Sequence, residues 1–166
     1  MGQRRTTEAG TFQIRPASEI DLPSVLGCLR ESFEPYRADY TPAAFADTVP
    51  SEGAVRERFR TMTILVVEDP SGAIVGTIAC APASASEGHL RGMAVRPDWQ
   101  GSGAAGALLD GTLERLRSLG CRRATLGTTQ PLERAVRFYE KHGFRRTGKV
   151  TDFFGMPLFE FARELT

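Results

Sequence analysis

Residues 100–106 read Gln-Gly-Ser-Gly-Ala-Ala-Gly, with glycines at 101, 103 and 106. A glycine-rich run at the head of a helix can cradle phosphate, because the first turn offers unpaired N–H groups and the positive end of the helix dipole. Three phosphate ligands compete for it. A nucleoside triphosphate loop needs G-x-x-x-x-G-K-[ST], and no Gly-Lys-Ser/Thr follows here. A dinucleotide fingerprint needs the glycines directly after a strand and an acidic residue about 20 positions on. Here Arg-Pro-Asp-Trp-Gln intervenes, and the next strand ends in Thr128, Thr129 and Gln130, with no carboxylate. A plain strand-to-helix turn does not need two glycines followed by Ala-Ala-Gly, which weakens a helix start.

The third ligand accounts for the whole stretch. Residues 93–109, MAVRPDWQGSGAAGALL, fit V-x-P-x-x-Q-G-x-G-x-A, with Val95, Pro97, Gln100, Gly101, Gly103 and Ala105 in register. Downstream, residues 135–144 read AVRFYEKHGF, supplying Ala135, Phe138, Tyr139, Gly143 and Phe144. On these two motifs the chain resembles the GNAT N-acetyltransferase superfamily, over residues 87–147 in motif and 11–164 in element order. The resemblance implies an acetyl-coenzyme A-dependent N-acetyltransferase that acts by direct transfer in a ternary complex. The rival from another class is a non-catalytic acyl-coenzyme A sensor, which keeps the loop without the chemistry.

Acetyl transfer to an amine needs a base for the amine, donors for the tetrahedral oxyanion and a proton for the departing thiolate. The resemblance places Tyr139 as the acid; the alternative is a core aromatic beside Phe138. It also implies that Met93, Ala94 and Val95 offer backbone groups to the acyl arm. Gln100, Gly101, Ser102, Gly103, Ala104 and Ala105 then hold the pyrophosphate, Phe138 is a further coenzyme contact, and Lys141 is a candidate for the adenosine phosphates. His142 and Arg96 are further candidates for the adenosine phosphates. Six residues before Val95 stands His89, whose imidazole suits a base near neutral pH; Glu87 and water-mediated deprotonation compete with it. By alternation, His89, Arg91, Met93 and Val95 share one strand face. One departure stands out: the family often has Asn three residues before Ala135, where this chain has Leu132. Thr129 or Gln130 could replace that contact.

The acceptor end draws on the first helices and the last hairpin, where Phe33, Tyr36, Tyr40, Phe45, Phe153, Phe154 and Phe159 concentrate. Phe33, Tyr36 and Glu87 are the candidate acceptor contacts, and Glu31, Glu34 and Asp39 could draw a cationic amine. Plain core packing explains the aromatics equally well. The acceptor is a small-molecule amine or a peptide amine.

These residues need a scaffold. Residues 11–17 alternate as a strand, and 17–33 carry Ile20, Val25, Leu26, Leu29 and Phe33 at helical spacing. A weaker helix is expected over 42–59. Segments 63–70 and 73–83 read as a hairpin about Pro-Ser-Gly, and a strand over 89–97 follows. The helix after the glycines carries Ala105, Leu108, Leu109, Leu113 and Leu116 and stops at Gly120. Strand 124–128 precedes a helix opened by Pro131 and closed by Gly143, then two final strands. This order is α/β of the α+β type: a mixed, mostly antiparallel central sheet of about six to seven strands with helices on both faces, acyl-coenzyme A N-acyltransferase-like.

The bulk properties bound the rest. With 166 residues, one domain over 11–166 after a disordered polar tail over 1–10 is expected. The tail matches the loose M-G-x-x-x-[ST] acylation pattern, which is short enough to arise by chance. A net charge of +1 argues against nucleic acid or an anionic membrane as partner. Cys28, Cys80 and Cys121 lie far apart in apolar contexts and the two histidines do not cluster, so no disulfide framework or metal site is expected. A cytoplasmic monomer or homodimer is the expectation.

Overall fold

The computed structural model of the chain describes residues 12–165; the tail expected over 1–10, with its acylation-like pattern, lies outside them. Seven strands form one sheet: β1 (Gln13–Pro16), β2 (Thr63–Glu68), β3 (Ile74–Pro82), β4 (Glu87–Val95), β5 (Arg123–Thr128), β6 (Arg145–Phe153) and β7 (Met156–Glu164). Their order is β1-β2-β3-β4-β5-β7-β6. Every neighbouring pair is antiparallel except β4 and β5, which run parallel. The mixed, mostly antiparallel sheet expected from the element order is therefore present.

Helices cover both faces. On one side lie α1 (Leu22–Phe33), α2 (Pro42–Thr48) and α3 (Glu52–Thr61), packed against Ile64, Val66, Ala79 and Ala94. On the other lie α4 (Ala104–Ser118) and α5 (Glu133–Lys141), packed against Leu65, Val67, Ile78, Leu90 and Val95. The α4 stripe foreseen from spacing is the centre of this second core. Leu108, Leu109, Leu113 and Leu116 are all buried, each contributing on the order of 1.5–3 kcal/mol of transfer free energy.

Local expectations fail at three places. The helix expected over 42–59 is two, because Val49-Pro50-Ser51 breaks it: Pro50 disfavours helical geometry at Val49, and Ser51 caps α3 by accepting from the Ala54 N–H. Ile20 is 86% exposed, because residues 19–21 form a separate 3₁₀ turn before α1. Pro131 does not open α5, which begins at Glu133 after a turn.

Two irregularities in β4 shape the molecule. The β3–β4 register slips between Thr77 and Ala79 on β3, opposite Arg91–Ala94, and Gly92 has φ +65°. Such a bulge adds a residue and inverts the alternation beyond it. Leu90 packs with the α4 core, and so do Met93 and Val95, whereas Ala94 packs with the α1 core. His89 and Arg91 consequently face the α1–α3 side while Met93 and Val95 face α4, which corrects the shared face inferred from alternation. The second irregularity is separation. β4 pairs with β5 only from Glu87↔Arg123 to His89↔Thr125, and the strands then diverge.

Candidate active site

The glycine loop joins the end of β4 to α4. A 3₁₀ turn at Pro97–Trp99 leads into Gly101 at φ +81° and Gly103 at φ +98°. An added Cβ would meet nothing within 4 Å at Gly101, and only Phe12 at 3.8 Å at Gly103. The backbone angle therefore requires glycine, and the space beside it is open for a ligand. The Gln100 side chain donates from Nε2 to the Val95 carbonyl at 3.0 Å, holding the loop against the strand end. Ser102 Oγ accepts from the Ala104 N–H. Among the described residues, none accepts from the N–H groups of Gly101, Gly103, Ala105 or Gly106. Four unpaired N–H groups at and just before the start of a 15-residue helix can receive an anion.

Where β4 and β5 part, a cleft of 790 Å³ opens. It runs from the loop (Gln100, Gly101, Gly103, Ala105, Gly106) past Met93, Ala94 and Val95 to Phe33, Tyr36 and His89. Beyond His89 the β5-facing edge of β4 has no strand partner, so its backbone is available along the cleft. Ser102 and Ala104 do not line it: Ala104 is fully buried, and the Ser102 hydroxyl is engaged within the loop, donating to the Trp99 carbonyl and accepting from the Ala104 N–H.

Tyr139 enters from α5, whose buried side it forms. Its hydroxyl donates to Met93 Sδ at 3.2 Å, and its ring meets Phe138 and Phe144 edge to face. Burial pushes the phenol well above its ordinary range, because phenolate would be desolvated there. The group is therefore fully protonated at neutral pH.

His89 lies across the cleft wall, half-buried, with Nδ1 2.9 Å from Thr125 Oγ1. Desolvation, then the nearby Arg91 charge, lowers its pKa below 6.5, so the ring is neutral at pH 7. When Nδ1–H donates to Thr125, Nε2 keeps a free lone pair. Glu87 is set apart from the cleft: its carboxylate is held by Arg123 Nη1 at 2.6 Å, at the closed end of the β4–β5 pair. The acidic residues expected to draw an amine are also occupied or displaced. Glu31 pairs with Arg96 and Glu34 with Arg37, and neither they nor Asp39 line the cleft.

The charges near the loop sort similarly. Lys141 and His142 line the cleft beside Phe138, whose ring stacks on His142 at 4.4 Å. Arg96 does not: besides Glu31 it donates to the Ile74 carbonyl, locking the strand end to α1. Arg134, absent from the sequence reading, lines the cleft from α5. Thr128 was missed as well. It is 4% exposed, lines the cleft, and its Oγ1 has no partner, whereas Thr129 Oγ1 is already bonded to Tyr40 Oη at 3.0 Å. Leu132 also lines the wall without a polar atom to offer. No cluster among the described residues has the make-up of a metal site.

A splayed parallel pair, a phosphate-type loop at the open end of β4 and a buried phenol beside it define an acyl-coenzyme A-type transferase fold. The model of the acetyltransferase (GNAT) family matches residues 25–144, and the chain belongs to that family as an N-acetyltransferase. It is 30% identical over 148 residues to the glucosamine 6-phosphate N-acetyltransferase of Trypanosoma brucei brucei, covering 84% of this chain and 92% of that one. Among solved structures, Ard1 from Thermoplasma volcanium superposes with a TM-score of 0.76 at 20% identity, over 94% of this chain and 99% of that chain. The PaiA N-acetyltransferase of Thermoplasma acidophilum, in complex with coenzyme A, gives 0.76 at 18% identity over 92% and 98%. These two share the fold.

Proposed function

We propose that the protein moves the acetyl group of acetyl-coenzyme A directly to a primary amine, small-molecule or peptide, with both substrates in the cleft. The observation that carries this reading is one continuous cleft, lined at one end by the unpaired N–H groups of the loop and at the other by His89, with Tyr139 between. In this reading the loop N–H groups, with Arg134, Lys141 and His142 nearby, hold the coenzyme phosphates. The unpaired backbone of Met93–Val95 guides the acyl arm and polarises the thioester carbonyl. His89 Nε2 takes a proton from the acceptor amine as the amine nitrogen bonds the carbonyl carbon, and the tetrahedral intermediate collapses with cleavage of the carbon–sulfur bond as Tyr139 gives a proton to sulfur. The nearness of Tyr139 Oη to Met93, on the unpaired segment, supports that assignment.

Direct transfer is favoured over an acyl-enzyme. No cysteine lines the cleft, all three are buried, and burial pushes the Cys28 thiol up to about 11 and raises Cys80. Buried free thiols also fit a reducing compartment such as the cytoplasm, where the protein would act as a monomer or homodimer without nucleic acid or membrane partners. No helix among the described residues is long and apolar enough to cross a membrane.

The test is thiol release from acetyl-coenzyme A across a panel of amines, with glucosamine 6-phosphate included because of the trypanosomal relative. Amine-dependent release supports the transferase. Tight coenzyme A binding with no release on any amine selects the sensor, and stabilisation by NAD but not by coenzyme A rejects the site assignment.

A further inference from the structure

The cleft holds two guanidiniums at its acceptor end that the acetyl transfer does not use. Arg91 projects from β4 to the α1–α3 side and is paired with Asp47 of α2, Nη2 to Oδ2 at 2.9 Å. Arg58 comes from the last turn of α3 and lies against the bulge. Its Nη1 occupies the space beside Gly92, 2.8 Å from where a Cβ would stand. A side chain at position 92 would displace the end of this flexible arginine.

Arg58 is half-buried and makes no hydrogen bond or ion pair among the described residues. Burial, then the neighbouring Arg91 charge, lowers its pKa to about 10, with Asp47 opposing only in part. Long cationic side chains ordinarily reach for solvent or a carboxylate, and this half-buried guanidinium keeps unpaired donors along the cleft instead of pairing with a carboxylate. Asp47, Arg58 and Arg91 line the main cleft and also a second cavity of 510 Å³ beyond it. Two guanidiniums therefore stand near one carboxylate that pairs with Arg91 alone, and Asp47 is the sole acidic residue along the main cleft among the described residues.

We propose that Arg58, with Arg91, binds an anionic group carried by the acceptor, so that the preferred substrate is a small primary amine bearing a carboxylate or a phosphate. A guanidinium fork presents paired donors that match either oxyanion. Arg91 remains anchored by Asp47, and Arg58 contributes the open donors. His89 stands two residues before Arg91 on the same side of β4, which sets the anion-binding group and the proton acceptor within one small molecule's reach of each other. This inference rests on the acetyltransferase reading above and adds the acceptor's charge to it.

The experiment compares matched amines under saturating acetyl-coenzyme A: O-phosphoethanolamine against ethanolamine, and β-alanine against propylamine. At least one anionic member should exceed its neutral partner tenfold or more in kcat/KM, and the better pair identifies the oxyanion. Arg58→Met should bring that ratio down to near one, mainly through KM, while Arg58→Lys should restore part of it. Coenzyme A-induced thermal stabilisation checks that each variant is folded. Should the Met variant fail to fold, inorganic phosphate and acetate serve with the wild-type protein. Competition against the amine but not against acetyl-coenzyme A supports the site, and competition only against acetyl-coenzyme A, or none, overturns it. Equal turnover of neutral and anionic amines overturns this inference alone. Absence of turnover together with absence of coenzyme A binding overturns the underlying acetyltransferase site, and this inference with it.

Discussion

The hydroxyl of Tyr139 donates to the sulfur of Met93 across 3.2 Å, joining α5 to the stretch of β4 that β5 has left. Tyr139→Phe keeps the ring against Phe138 and Phe144 and removes only the hydroxyl. A thioether is a weak acceptor, so stability should change by less than about 1 kcal/mol. Turnover should fall by about 10²–10⁴-fold, the range for a positioned proton donor, while coenzyme A affinity persists. Thiol-release kinetics and calorimetric titration read the two separately. A variant with undiminished kcat would remove Tyr139 from the acid role.

The loop glycines should separate by backbone angle rather than by crowding. Gly101→Ala and Gly103→Ala place a methyl in open space but force a left-handed φ, costing roughly 1–2 kcal/mol each. Both should lower Tm and weaken coenzyme A binding. Gly106 lies inside α4, and its Cβ would meet His142 Nε2 at an ordinary 3.7 Å. Gly106→Ala should be as stable as the parent or more so, by up to about 1 kcal/mol. Paired thermal melts with and without coenzyme A decide the matter.

His89 gives a pH signature with a definite sign. Burial, then the Arg91 charge, lowers its folded pKa below 6.5, so on the acid side of neutrality a smaller share of the folded ring is protonated than of the unfolded one. The unfolded state then binds more protons, and stability should decline as pH falls below about 6.5. If His89 is the base, kcat/KM should show an acidic limb with its midpoint under pH 6.5, and His89→Gln should abolish that limb along with most of the rate. An unchanged limb in His89→Gln would assign the base elsewhere.

Thr128 carries a buried hydroxyl with nothing to bond. Removing an unsatisfied polar group from such a place normally leaves stability unchanged or raises it by about 1 kcal/mol. Thr128→Val should therefore melt no lower than the parent, yet bind coenzyme A or the acceptor about 3–10-fold more weakly, the value of one lost hydrogen bond. Weaker binding without loss of stability marks the hydroxyl as a ligand contact. Unchanged affinity for both substrates would show that Thr128 contacts neither.

Much of this site was legible in the chain because it rests on local rules. The Gln100–Ala105 run demands left-handed angles at two glycines and a helix start, and both follow from residue types alone. The Tyr139 helix and the four leucines of α4 were visible as periodicity. Arg58 was not, because nothing in Val-Arg-Glu-Arg-Phe-Arg distinguishes it from two neighbouring arginines on an exposed helix. Its meaning appears only when α3 is laid beside Gly92. Glu87 illustrates the reverse error: near His89 in sequence, it is drawn away by Arg123 from a strand more than thirty residues on.

What the sequence by itself determined is the element order, the phosphate-type loop and the tyrosine helix, since each depends on dihedral preference and short-range spacing. Tertiary structure decided which way β4 faces. The bulge at Gly92 arises only from pairing with β3, and it turns His89 and Arg91 toward the α1–α3 side while Met93 and Val95 turn toward α4 and Tyr139. The parting of β4 from β5 beyond His89↔Thr125 is likewise a property of two strands. Alternation is a local rule, but register belongs to the pair.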